Sequence, residues 1–252
     1  MRREENLSRV CIVLVQPEDC QNIGSVCRAA KTMGIGRLKI VGRSQFDESR
    51  VRQLSVHAYD LFERKMLFPT LDDALASSSL SVAFTRRNGK FRKGASKSPS
   101  DLAEMLRGFP PGEVNLVFGR ESDGLTDDEV RACNMVCTIE TSSAFPSLNL
   151  SQAVQIAAYN LFVGLDDYAG ALSSDHVGAA VRRRVDEVVS DACDMLADIS
   201  YFKESSDECD NFRIFLRDGI MRGAFSEREV ERIGRFFRKV HDISKYKSGV
   251  GK

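Results

Sequence analysis

The sequence carries no excess charge of either sign. Thirty-six lysines and arginines balance 36 aspartates and glutamates, for a formal net charge of +0 at pH 7. That removes the simplest electrostatic route to a nucleic-acid partner, a large net positive charge, so any basic surface has to be local. No segment approaches the roughly 20 apolar residues of a membrane span. The short apolar run Val10 to Val15 leads straight into Gln16, Pro17 and acids, unlike a signal peptide, and no membrane partner is expected. The seven cysteines are odd in number and lack CxxC spacing. This argues against a disulfide framework and against a zinc site, so buried thiols in a reducing cytoplasm and no metal are expected. Cys133 and Cys137 are four apart, but Asn134 and the run Val136–Ile139 read as the approach to a strand. No GxGxxG follows the first strand, which sets aside a dinucleotide-binding oxidoreductase.

What is present reads as globular. The chain has 252 residues, 42% hydrophobic and 29% charged, enough for one α/β domain with a smaller appendage. Apolar runs at Val10–Val15, Leu38–Val41, Lys65–Phe68, Leu80–Phe84, Val114–Phe118 and Met135–Ile139 predict strands buried on both faces. Helical spacing at Asn22–Met33, Glu48–Leu61, Leu71–Ala76, Ser100–Leu106, Asp127–Ala132 and Ala153–Val163 alternates with them. The fold class is therefore α/β with a mainly parallel sheet, which places ligands at the carboxyl ends of the strands. Thr126 to Glu129 and Asn149 to Gln152 have the capping-box form. Residues 1–164 are expected to form this domain and 165–178, rich in Gly, Ser and Asp, a linker. Residues 179–252 show helical periodicity, with Val181, Val185, Val188, Ala192, Met195 and Ile199 on one face, and the tail from Lys245 is expected to be mobile.

Three polar segments follow strands. In the first, residues 16–34, Asn22 is placed to cap a helix, Gly24 allows close packing, and Arg28 is either a solvated helix cation or a group within reach of an anion. In the second, 116–126, Gly119 and Gly124 bracket a loop carrying Glu121; it is either a generic turn or a backbone surface that a ligand approaches closely. In the third, 139–154, Ser147 and Asn149 either cap the last helix or aim polar groups at the same mouth.

Taken together, the segments NIGSVCRAAKTMGIGRLKIVG (22–42), LVFGRESDGLT (116–126) and FPSLNLSQAVQIAAYNL (145–161) resemble, in order and spacing, the three motifs of the TrmH-type SPOUT methyltransferases. SLNLxxAV is similar to the TrmJ-like tRNA branch. The resemblance spans roughly residues 10–163. It implies a C-terminal deep trefoil knot, an exception to the usual absence of knots, S-adenosylmethionine as cofactor, a homodimer, and tRNA 2′-O-ribose methylation at anticodon-loop position 32. Ribosomal RNA is the alternative substrate, and an RNA-binding protein with a degenerate knot is the non-catalytic one. All five motif positions are present: Asn22, Arg28, Glu121, Ser147 and Asn149.

The resemblance further implies cofactor contacts at Gly119, Arg120, Glu121, Gly124, Ile139, Ser147 and Leu148, with Thr85 on a looser alignment. Arg28 is expected to stabilise a developing alkoxide, with Asn22, Glu121, Ser147 and Asn149 orienting it, because a guanidinium holds its proton too tightly to be a good general base. Two basic groups are expected to grip RNA. One is a loop of Arg86, Arg87, Lys90, Arg92, Lys93 and Lys97 with Phe91 for stacking; the other is the helix face of Arg228, Arg232, Arg235 and Lys239.

Overall fold

The computed structural model describes residues 3–86, 96–165, 178–202 and 206–249. Six strands, β1 (Val10–Val15), β2 (Leu38–Val41), β3 (Met66–Phe68), β4 (Leu80–Phe84), β5 (Val114–Phe118) and β6 (Met135–Cys137), form one sheet. The order is β3-β2-β1-β5-β4-β6, and every neighbouring pair runs parallel. Helices on both faces explain the unbroken apolar runs. Val10, Ile12 and Leu14 of β1 point into one cluster with α2 (Cys20–Thr32), α6 (Pro99–Arg107) and α8 (Leu150–Gly164). Val13 and Val15 point into the other, with α5 (Leu71–Leu75) and the residues flanking α7 (Asp127–Ala132).

Several expectations are corrected. A short helix, α1 (Arg3–Ser8), precedes β1 and buries Leu7. The single helix expected over 48–61 is two, α3 (Glu48–Ser55) and α4 (Tyr59–Glu63), joined by a 3-10 turn. Val56 breaks it at φ +49°, an unfavourable backbone for a β-branched residue, and the bend swings Leu61 and Phe62 into the core. Close packing of α2 on α3 is confirmed at Gly24, where a Cβ would lie 2.3 Å from the Val51 carbonyl oxygen. The last strand stops at Cys137, leaving Ile139 in the following loop. Burial pushes the thiols of Cys11, Cys27 and Cys137 up to about 12, so these are unreactive core groups.

Beyond α8 come α9 (Arg182–Asp198), α10 (Ser206–Arg222) and α11 (Glu227–Gly249), which share their own apolar cluster around Val185, Val189, Ile220 and Val230. The residues expected to form a mobile tail continue α11 as far as Gly249. Arg182 is buried at the start of α9, where its guanidinium donates to the Ala132 carbonyl (2.9 Å), Asp72 (2.6 Å) and Asp186 (3.1 Å). The Arg182 amide donates to the Ser78 carbonyl, just before β4. On α10, Asp218 accepts from Asn134, just before β6, at 3.4 Å. These bonds anchor the three helices at the edge where strands begin. None of the described helices is long and apolar enough to cross a membrane.

One polar side chain interrupts the β2 run. Lys39 is 1% exposed, and its ammonium donates to the Ala74 carbonyl (2.6 Å) and to the Glu113 carboxylate (2.5 Å), which also pairs with Arg37. Burial alone would raise the Glu113 pKa. The Lys39 hydrogen bond and the charges of Lys39 and Arg37 outweigh it and hold the group below the ordinary carboxylate range. Glu113→Ala strands the buried ammonium and is expected to cost about 3–5 kcal/mol in denaturant unfolding. Because the folded pKa is depressed, the pair contributes fully above the unfolded value of about 4.3 and its contribution is lost as pH falls through the lower folded value. Glu113→Gln should therefore flatten that part of the acid limb of stability against pH.

Candidate active site

After Phe118 the chain folds back on itself. A Cβ on Gly119 would lie 2.1 Å from the Gly124 carbonyl carbon, so the absence of a side chain here is what lets the loop close on itself. Arg120 and Gly124 form a bridge, and the Arg120 guanidinium donates to the Gly124 carbonyl (3.1 Å) and to Glu129 (2.6 Å). Glu129 also closes the capping box on Thr126 as expected. Gly124 adopts φ +69° and has open space where a side chain would be, so backbone is what it offers to anything bound there.

The fold-back delivers Glu121 to the start of α2. Its carboxylate accepts from the backbone N–H of Glu18 (2.8 Å) and Asp19 (3.2 Å) and from the Asn22 side-chain amide (2.9 Å). Asn22 is therefore not the helix cap. Asp19 is, accepting from the Gln21 N–H. The Asn22 oxygen accepts from the Asn149 amide at 2.9 Å, and the Asn149 oxygen caps α8 by accepting from the Ser151 N–H at 2.8 Å. A carboxylate at one end and a backbone donor at the other leave only one consistent orientation for both amides. The three motif segments are thus joined by one directed chain, Asn149 to Asn22 to Glu121.

Beside it lies a cavity of about 290 Å³ between the ends of β4 and β5 and the segment leading into α8. Thr85, Gly119, Arg120, Glu121, Gly124, Ile139, Ser147 and Leu148, the expected cofactor contacts, all line it. Phe84 and Phe118 also line it, stacked at 4.6 Å between centroids and 18° between planes. Neither was expected from the sequence, although their place at the last position of adjacent strands was a usable signal. Arg86, expected on RNA, lines the cavity as well.

Arg28 does not line that cavity. It is exposed in a separate open groove between α2 and α8, with Ser25, Thr32, Gln152 and Ile156, and only Leu148 lines both. Among the described residues nothing pairs with its guanidinium, so the expectation that Asn22, Glu121, Ser147 and Asn149 orient it is not met within one chain. Six residues of helix separate Asn22 from Arg28, a rotation of about 240°, which turns them to different faces. Arg87, Lys90, Phe91, Arg92 and Lys93 lie outside the described residues. Lys97 is half-buried and bridged to Cys137. Arg228, Arg232, Arg235 and Lys239 are exposed on α11. No group of three or more His, Cys, Asp or Glu among the described residues is arranged to hold a metal ion.

Residues 9–159 match the family described as SpoU rRNA Methylase. A tRNA (cytidine-2′-O-)-methyltransferase TrmJ of Methanocaldococcus jannaschii is 30% identical over 155 residues, which is 61% of this chain and 67% of that protein. A tRNA (cytidine/uridine-2′-O-)-methyltransferase TrmJ of Yersinia pestis (strain Pestoides F) is 36% identical over 161 residues, 64% of this chain and 63% of that one. Among solved structures, TrmJ from Z. mobilis ZM4 superposes with a TM-score of 0.74 over 91% of this chain and 98% of its own, at 23% identity, a likeness of fold.

The directed chain ends on Glu121, which accepts three hydrogen bonds from the start of α2. Glu121→Ala leaves the Glu18 and Asp19 amides and the Asn22 side chain without their acceptor, and about 1–3 kcal/mol of stability should be lost in urea unfolding. No loss of stability would mean that the three segments are held together by other interactions.

Proposed function

The chain belongs to the SpoU methylase family, and we propose that it transfers the methyl group of S-adenosylmethionine to a ribose 2′-hydroxyl of tRNA. The observation that carries this reading is the cavity walled by all the expected cofactor contacts beside the Asn149–Asn22–Glu121 chain. Its donor set fits the cofactor: a flat apolar floor at Phe84 and Phe118, apolar walls at Ile139 and Leu148, and the bare backbone of Gly124. The cofactor, when bound, supplies an electrophilic methyl on a positively charged sulfur whose departure as a neutral thioether needs no metal. The chain's own residues hold and orient it, and Arg28 provides fixed positive charge for the attacking oxygen as its proton leaves.

Arg28 stands outside the cavity of its own chain. We take this as support for a homodimer packed through the groove between α2 and α8, in which Arg28 completes the partner's site. The deep trefoil knot over the segment running into α8 belongs to the same proposal. So does the division into a catalytic unit, residues 1–164, and a helical RNA-gripping unit, residues 179–252. Position 32 of the anticodon loop is the target favoured by the motif resemblance, and the tRNA cytidine and cytidine/uridine 2′-O-methyltransferase names of the two relatives support tRNA as the substrate class. The family's description as rRNA methylases keeps ribosomal RNA as the second reading.

Arg28→Ala should abolish methylation of a tRNA transcript while cofactor binding, read by calorimetry, survives; substantial remaining turnover would sink the assignment. Reversing charge at Arg228, Arg232 and Lys239 together should weaken tRNA binding and reduce the slope of affinity against salt by about one for each phosphate that is no longer neutralised. Ribose-methylation mapping of tRNA and rRNA from cells with and without the protein separates the two substrate readings.

A further inference from the structure

We infer that the outer face of α11 binds an unpaired stretch of RNA by stacking a base on Phe236, an inference that rests on the RNA-gripping role proposed above. α11 turns Val230, Ile233, Phe237 and Val240 toward α9 and α10, or half-buries them, and leaves Arg228, Arg232, Arg235, Phe236 and Lys239 outside. Phe236 is 63% exposed, the opposite of what a phenylalanine does when it has a core to enter. The ring is nonetheless held. It meets Phe237 edge to face at 5.6 Å and 77°, and Phe237 meets Phe212 at 6.5 Å and 87°. A supported ring is therefore largely presented to solvent.

Its surroundings specify what fits. Arg232 lies one helical turn before Phe236 and Lys239 one turn after it, and among the described residues neither forms an ion pair. Arg235 lies in a groove with Arg184, Asp191, Glu231 and Arg238, where Glu231 is paired with Arg184, and it is not one of the two cations that bracket the ring. An aromatic face with uncompensated cations one turn to either side matches a base and its flanking phosphates. Duplex RNA presents phosphates but keeps its bases stacked away, whereas loops and single strands present base faces. A second copy of the chain is the poorer occupant, because two such faces would bring like charges together.

The test uses the full chain, with anisotropy of a labelled tRNA transcript, an unpaired RNA dodecamer and an RNA duplex of equal length, each at two salt concentrations. Phe236→Ala should lose roughly tenfold in affinity for the tRNA and the dodecamer, the scale expected of one stacked base. The salt slope should be unchanged, duplex binding should be unaffected, and Phe236→Trp should restore the loss. Arg232→Glu, run in parallel, reports the electrostatic reading through a changed slope. If Arg232→Glu weakens binding while Phe236→Ala does not, stacking is wrong and the basic face stands. If neither matters, the RNA-gripping role of this face fails with it. Should Phe236→Ala instead lower the sedimentation coefficient with RNA affinity intact, the ring belongs to an interface between copies, and the proposal is overturned.

Discussion

The carboxylate of Glu121 is the constraint on which the site depends. It accepts two backbone N–H groups at the start of α2 and the amide of Asn22, and through Asn22 it reaches the cap of α8. An anion belongs at a helix N-terminus, where free N–H groups and the helix dipole favour it. The parallel sheet makes the meeting possible. β1, β5 and β4 are neighbours in that order, so the loops that follow them emerge at one edge. The cavity is bounded by the same loop that carries Glu121. Anything that releases this carboxylate loosens a wall of the cavity and the start of two helices together.

The opposite edge of the sheet is occupied in a different way. Arg182, Asp218 and Asn134, all buried, tie α9 and α10 to residues that precede β4 and β6. Each removes polar or charged groups from water and is tolerated because each finds partners. The three helices are thus fastened to the end of the sheet remote from the cavity. The two ends are separated by a strand length, about 17 Å for five residues. A substrate that touches both the basic face of α11 and the cavity must be large, a condition that a folded RNA meets.

Parts of this were legible in the sequence for local reasons. Strands covered on both faces read as unbroken apolar runs, and four of the six have the predicted bounds. The caps at Thr126 and Asn149 depend on a side chain three residues away and were readable in the same way. Lys39 sits inside one of those runs with its carboxylate partner 74 positions along the chain, and nothing nearby announces the pair. The break at Val56 was hidden because the residue itself favours extended backbone with negative φ, and only the packing of α3 and α4 on α2 imposes the other sign. The helical continuation of α11 through Gly249 was equally invisible in a tail of Lys, Ser and Gly.

By itself the sequence determined the α/β alternation, the parallel sheet, eight of the residues that line the cavity and the identity of the motif positions. These follow from periodicity, from capping within a single turn, and from a resemblance carried by contiguous segments. The tertiary structure decided how those positions are used. It made Asn22 a link and not a cap, turned Gly119 toward its own loop, and set Arg28 in a groove apart from the cavity. The physical reason is that hydrogen-bond partners about a hundred residues apart are chosen by strand order and by the rotation of side chains around a helix, and neither is written in any local stretch of sequence.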